Sequence, residues 1–277
     1  MLPATLPTGR SLVMGILNVT PDSFSDGGLY VDTDVAVEKA YRMVRQGADI
    51  VDVGGESTRP GATALTAREE WNRIGAVVTA LGKTDIVVSV DTYHADTARR
   101  AIDAGAEIVN DVTGGAGDPN MFSAVASSSC LYILQHGRGN ARTMNSLANY
   151  GDIGAEVADE LTASVDRAVS SGVDASQIVV DPGFGFAKVG NDDWDLAANM
   201  APIMELGMPV LVGVSRKRFL AEIHNGRSGP AHRDDATAAL TAYFAELGVW
   251  GVRVHEVAAS RAAVETVARL RTAGAYP

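Results

Sequence analysis

A closed (β/α)8 TIM barrel is the fold class that the sequence predicts, and three observations predict it. Short apolar runs rich in Val and Ile alternate eight times with longer amphipathic stretches, each run ends in polar residues, and the length of 277 residues suits a barrel, whose usual size is about 250 residues. Continuous apolar strands separated by helices imply a parallel sheet buried on both faces. The runs lie at 12–20, 50–57, 86–92, 108–113, 131–136, 178–182, 210–215 and 249–255, and their closing residues include Asn18, Glu56, Asp91, Asn110, His136, Asp181, Ser215 and His255. In such a barrel these residues converge on one mouth, where the chemistry of the fold sits. Some of them simply end strands, as Asn, Asp and Ser favour turns. Asp91, Asn110 and Asp181 need more, because each lies in or directly after an apolar run where an unpaired carboxylate is costly to bury.

The helices are expected at 34–47, 66–81, 94–104, 119–128, 152–171, 193–206, 232–247 and 257–272. Asp32-Thr33-Asp34 precedes the first and Gly47 ends it; Thr66 with Glu69 reads as a capping box for the second; Pro119 suits the first turn of the fourth. Three connections are long and polar: 20–32, 58–66 and 137–152. Long loops at the C-terminal mouth of a barrel are usually lids or substrate clamps. No linker divides the chain, so one domain over 1–277 is expected.

With 46% hydrophobic residues the chain can build one large core, and it holds no apolar run of transmembrane length and no secretory h-region near its start, so a cytoplasmic protein is expected. Its single cysteine, Cys130, stands before an apolar run and reads as a buried structural thiol. The net charge of −11 argues against nucleic acid and anionic membrane as partners. Against that background, Arg59, Lys217 and Arg253 follow different strands and would share one mouth, which focuses a small anion; Arg216 and Arg218 read equally well as surface ion-pair partners. His94, His224 and His232 read as solvated. The chain has no HExxH zinc pattern, no GxSxG elbow and no GxxxxGK[ST] phosphate loop.

The first long loop, with Asn18, Asp22, Ser23, Ser25 and Asp26, is dense in the oxygen ligands that Mg²⁺ accepts, and Phe24 within it is placed to cover a flat ligand. Two carboxylates and an amide, Asp91, Asn110 and Asp181, suit a flat heterocycle that offers several N–H donors. Buried Asp181 needs a cationic partner to stay ionised, and Lys217 is the candidate. The DPGFGFAK segment at 181–188 lacks phosphate-loop spacing and reads as an aromatic wall beside that heterocycle. Ser215, Lys217, Arg253 and His255 come from the last two strands, where barrels commonly hold phosphate, and Arg253 and His255 would point to one side of their strand.

These segments together resemble the dihydropteroate synthase family: GILNVTPDSFSDGG at 15–28, DVGGESTRPGA at 52–62, SVDTY at 89–93, NDVTGG at 110–115, DPGFGFAK at 181–188, SRKRF at 215–219 and RVHEV at 253–257. The resemblance implies condensation of 6-hydroxymethyl-7,8-dihydropterin pyrophosphate with p-aminobenzoate, with Mg²⁺ as cofactor, and a homodimer. It implies a catalytic set of Asp91, Asp181, Lys217, Arg253 and His255. Asp91, Asn110, Asp181 and Lys217 match the pterin pocket; Asn18, Arg253 and His255 match the pyrophosphate site; Asn18 and Asp26 match the metal site; Phe24, Thr58, Arg59, Pro60, Phe186 and Ser215 match the p-aminobenzoate side. Two positions depart from the family pattern: Gln135 stands where a Met is frequent, and Glu256 where an Asp is frequent. A pterin-dependent methyltransferase and a catalytically silent pterin-binding paralogue are the alternatives; the first would have no use for Arg59 or the Lys217, Arg253 and His255 anion site.

Overall fold

The computed structural model describes residues 6–20, 29–56, 64–140, 142–224 and 229–274. Eight strands, β1 (Leu12–Asn18), β2 (Ile50–Gly54), β3 (Val87–Asp91), β4 (Ile108–Asp111), β5 (Leu131–Gln135), β6 (Ile178–Asp181), β7 (Leu211–Val212) and β8 (Gly251–Val254), pair in parallel in the order β6-β5-β4-β3-β2-β1-β8-β7. A parallel bridge from Val180 to Val210 brings β6 and β7 together. The nearly closed barrel is ringed by α1 (Leu29–Arg45), α2 (Ala67–Leu81), α3 (Ala95–Asp103), α4 (Met121–Ala126), α5 (Ile153–Ser170), α6 (Asp192–Ala198), α7 (Ala201–Met204), α8 (Asp234–Leu247) and α9 (Val257–Thr272). None of the described helices is long and apolar enough to cross a membrane.

Two apolar layers follow from the period of two along each strand. Val13, Leu17, Val51, Val53, Val88, Val90, Val109, Tyr132, Val180 and Val252 face the helices, whereas Leu12, Met14, Ile50, Val87, Ile108, Ile133, Val179 and Leu211 fill the barrel interior. The same parity carries Asp52, Ser89 and Asp91, Asn110, Gln135, Asp181 and Arg253 inward, directly above that floor. Pairing aligns them: Asp52 with Ser89, Asp91 with Asn110, Gln135 with Asp181.

The structure shifts several sequence expectations. The first helix begins at Leu29, so Asp32 and Asp34 lie inside it rather than before it; nothing in Leu29-Tyr30-Val31 breaks a helix, and acidic residues in early turns suit the helix dipole. Gly47, with φ of +102°, does end that segment. The Thr66–Glu69 capping box is present. Pro119 stands outside α4, where Asp118 accepts the Asn120 amide at 2.9 Å. The helix expected over 193–206 is two, because Pro202 has no N–H to give and its ring opposes the carbonyl four residues back. The seventh run forms a regular strand over Leu211 and Val212 alone, with a single bridge at Val210 before it, and Val214 turns its carbonyl to the Lys217 amide. Cys130 is buried as expected, and burial raises its thiol pKa.

Candidate active site

Asp52 lies at the centre of the mouth. Its Oδ2 accepts from Arg253 Nε at 2.6 Å and from Asn110 Nδ2 at 3.2 Å, and the other arm of Arg253 reaches Asp91 Oδ2 at 2.5 Å. One guanidinium thus bridges carboxylates from two neighbouring strands. Buried acceptors remain over: Asp52 Oδ1 and Asn110 Oδ1, together with the hydroxyl Oγ of Ser89, have no partner among the described residues. A buried acceptor without a donor is costly. Three of them on one floor mark a surface made for a ligand that brings its own N–H groups.

The charges on this floor are held in tension. Burial pushes Asp91 up to about 7, against the pull of Arg253 and with help from Asp52. Burial also raises Asp181, opposed by Lys217 and by the Gly183 amide, which donates to Asp181 Oδ1 at 2.7 Å. Lys217 is pulled down to about 8 by burial, with Asp181 and Asp193 working to keep it charged. Lys217 thus opposes the desolvation of Asp181 from a distance, and the two make no direct ion pair among the described residues. Lys217 Nζ donates to the Phe184 carbonyl and sits 4.5 Å from the centre of the Phe186 ring. Burial works against Arg253, yet Asp52 and Asp91 hold it more firmly protonated than a free arginine.

Above the floor, Ser215 Oγ and His255 Nδ1 are 2.9 Å apart, and the His255 amide donates to the same Oγ at 3.0 Å, which ties the ends of the last two strands together. Asn18 closes β1 opposite Gly54, and a Cβ at Gly54 would lie 3.8 Å from Asn18 Oδ1 and 3.5 Å from Asp91 Cβ. The missing side chain leaves a cradle between an amide oxygen and a carboxylate. Hard oxygen donors in an open cradle fit Mg²⁺, which keeps several waters and substrate oxygens in its shell. Among the described residues, which leave out Asp26, no three acidic, His or Cys side chains gather as metal ligands.

Phe24, Asp26, Thr58, Arg59 and Pro60, and with them most of the first two mouth loops, lie outside the described residues. The aromatic wall expected from 181–188 is half there. Phe184 is fully buried in the outer core, edge-on to Phe244 at 5.4 Å, and only Phe186 stays at the mouth. Arg216 binds Asp234 at 2.7 Å and Arg218 is exposed, in line with their reading as surface cations. His232 is exposed as expected, and nothing is described of the His224 side chain. His94 is not solvated: it lies 3.7 Å from Glu56, which also accepts the Tyr93 hydroxyl at 2.6 Å. Glu256 caps α9 by accepting the Ala258 amide at 2.9 Å, a task that its longer side chain still reaches.

Sequence reasoning passed over Asp52 and Ser89 as site residues. The signal was their parity. Asp52 stands two positions after Ile50 in an apolar run and Ser89 two before Asp91, so both share the inward face of residues already singled out.

A model of the family described as pterin binding enzyme matches residues 14–255. The dihydropteroate synthase of Mycobacterium leprae is 48% identical over 267 residues, covering 95% of this chain and 94% of that protein. Among solved structures, the Xanthomonas albilineans dihydropteroate synthase with 4-aminobenzoic acid is 39% identical with a TM-score of 0.86, covering 97% of this chain and 94% of that one. The Yersinia pestis dihydropteroate synthase with a sulfonamide drug complex is 35% identical with a TM-score of 0.89, covering 96% of both chains. Identity at this level along nearly the whole length, over a mouth furnished with unmatched acceptors and cations, leads to one assignment: the chain belongs to the pterin-binding enzyme family, among the dihydropteroate synthases.

Proposed function

We propose that this chain condenses 6-hydroxymethyl-7,8-dihydropterin pyrophosphate with p-aminobenzoate, yielding 7,8-dihydropteroate and pyrophosphate for folate biosynthesis. The observation that carries the proposal is the set of buried acceptors left unmatched among the described residues, Asp52 Oδ1 and Asn110 Oδ1, on the floor that also carries Asp181 and Lys217. A pterin edge presents ring N–H and amino donors, which is the complement these atoms lack.

Bound on that floor, the pterin would hold its pyrophosphate arm toward the last two strands, where Lys217, Arg253 and His255 stand. Negative charge grows on the departing oxygen as the C–O bond breaks, and preorganised cations stabilise it most where water is excluded. Asn18 and Asp26 would hold Mg²⁺, which when bound neutralises the pyrophosphate oxygens. The carboxylates of Asp91 and Asp181 face the other way electrostatically and favour the cation left on the pterin methylene. The arylamine nitrogen then bonds to that carbon and gives up a proton. Phe24, Thr58, Arg59, Pro60, Phe186 and Ser215 form the proposed p-aminobenzoate side, with Arg59 meeting its carboxylate.

The test is pyrophosphate release from the pterin pyrophosphate with Mg²⁺, with and without p-aminobenzoate. Release that depends on the arylamine and yields dihydropteroate is the expected result. A folded protein that binds pterin without releasing pyrophosphate would instead be a silent paralogue or a methyl-transfer barrel. We further propose a cytoplasmic homodimer. Exposed Tyr243 and Leu247 on α8 and Leu270 on α9 support the dimer, and light scattering at the mass of two chains would establish it. The unpaired thiol of Cys130 suits a reducing compartment, and cell fractionation tests the location.

A further inference from the structure

Lys188 is 4% exposed and forms no salt bridge among the described residues. Burial lowers the pKa of its amine to about 7 against the pull of Asp193, and each N–H it carries must find an acceptor. They do: Gly183 O at 3.0 Å, Phe186 O at 3.1 Å and His136 Nδ1 at 3.3 Å. With Nδ1 accepting, His136 carries its proton on Nε2 and donates it to Glu160 Oε2 at 2.9 Å. Burial keeps the imidazole neutral by lowering its pKa. Glu160 is in turn held by Arg138 Nε at 3.0 Å, and its contact with His136 leads the effects that lower its pKa to about 2. Arg138 lies 3.9 Å over the Tyr150 ring, and the Tyr150 hydroxyl donates to Ala187 O at 2.9 Å. The third long loop, 137–152, is thereby laced to the turn that follows β6.

That turn is under backbone strain. Ala187 has φ of +49°, where a residue with a Cβ is disfavoured, and Gly183 has φ of +69° with no room for a Cβ, which would meet His136 O at 2.1 Å. Such a conformation persists only when its surroundings over-determine it. The same turn supplies the backbone groups that touch the pterin residues: Gly183 N–H to Asp181 and Phe184 C=O to Lys217.

We propose that Lys188 is a positioning residue, whose ammonium clips the carbonyls of Gly183 and Phe186 and so holds the strained turn in the shape that delivers Asp181 and Lys217 to the pterin. The inference rests on the synthase reading of the mouth. Lys188 itself touches no substrate, and no group of the proposed chemistry exchanges a proton with it.

The experiment compares wild type with Lys188→Met, similar in reach but without donors, in steady-state kinetics and thermal unfolding. Loss of the hydrogen bonds to the two turn carbonyls gives an expected rise of about tenfold in KM for the pterin pyrophosphate. The KM for p-aminobenzoate should rise less than that for the pterin pyrophosphate: Phe186 meets the arylamine through its ring, whereas the backbone of the clipped turn bears on Asp181 and Lys217 through the Gly183 amide and the Phe184 carbonyl. Equal effects on both substrates, or none, would overturn the proposal. Should Lys188→Met not fold, Lys188→Gln retains an amide donor and must show the same split, and an even loss there would overturn it as well. The wild-type control separates the two layers: an inactive wild type sinks the synthase reading, and this assignment with it, whereas an active one with an unsplit variant sinks Lys188 alone.

Discussion

Asp49 just precedes the second apolar run and Asp52 lies three residues on, within it, yet they end at opposite sides of the barrel floor and meet opposite treatment. Asp49, below β2, is saturated: Arg10 binds both its oxygens at 2.8 and 2.7 Å, the Val13 amide donates at 2.9 Å and Arg261 approaches to 3.3 Å. Asp52, within the mouth, has one oxygen doubly engaged and the other without a partner among the described residues. The lower end closes its accounts among these residues, and the upper end does not. In a (β/α)8 barrel that division separates the stability face from the chemical face, and here it is visible at the level of single oxygen atoms.

The largest way to break the contrast is to remove Asp49. Asp49→Ala leaves Arg10 without its bidentate partner at a mostly buried site, which should lower unfolding stability by about 3 kcal/mol while kcat/KM of the folded protein stays unchanged; chemical denaturation beside kinetics checks both. At the other end, Asp181→Asn should weaken pterin binding by about 1.5–3 kcal/mol, roughly ten- to 150-fold, with little change in the unfolding midpoint. Calorimetric titration reads the first quantity, and unchanged affinity would remove Asp181 from the pocket. A smaller effect is expected of Asp52→Asn, which keeps an acceptor but swaps the second oxygen's charge for an amide: about 1 kcal/mol in pterin affinity.

A last test of the contrast is a pH slope. Burial raises the folded-state pKa of Asp91 to about 7 from the ordinary 3.8, so the native protein holds this proton more tightly than the unfolded chain. Its contribution to stability is complete below the unfolded value and is lost as the pH rises through about 7. The free protein should therefore lose stability across that window, and Asp91→Asn should flatten the slope; an unchanged slope would assign it to another group.

Most of this contrast was legible before any coordinates. The strand ends Asn18, Asp91, Asn110, Asp181, Ser215 and His255 are conspicuous because polar residues interrupt apolar runs, and the presence of Lys217 on the same floor as Asp181 follows from the need to offset a buried charge. Asp52 was harder, since within a run buried on both faces only parity distinguishes the mouth from the helix side, and Val51 and Val53 disguise it. Phe184 was unreadable for the same reason: beside Phe186 it looks like the same wall, but the turn sends alternate rings to core and mouth. Lys188 was seen only as the last letter of a motif, because its acceptors are main-chain carbonyls, which carry no signature in sequence.

The Arg253 bridge bears on inhibitor design. In the free protein its guanidinium already occupies one oxygen each of Asp52 and Asp91, so a compound that displaces it must first replace two charge-assisted contacts before it gains anything. A scaffold that leaves that arginine in place, and offers flat N–H groups to Asp52 Oδ1 and Asn110 Oδ1 alone, adds contacts without surrendering any. Lead compounds for this pocket should accordingly be ranked by which oxygen they address, before they are ranked by how many they touch.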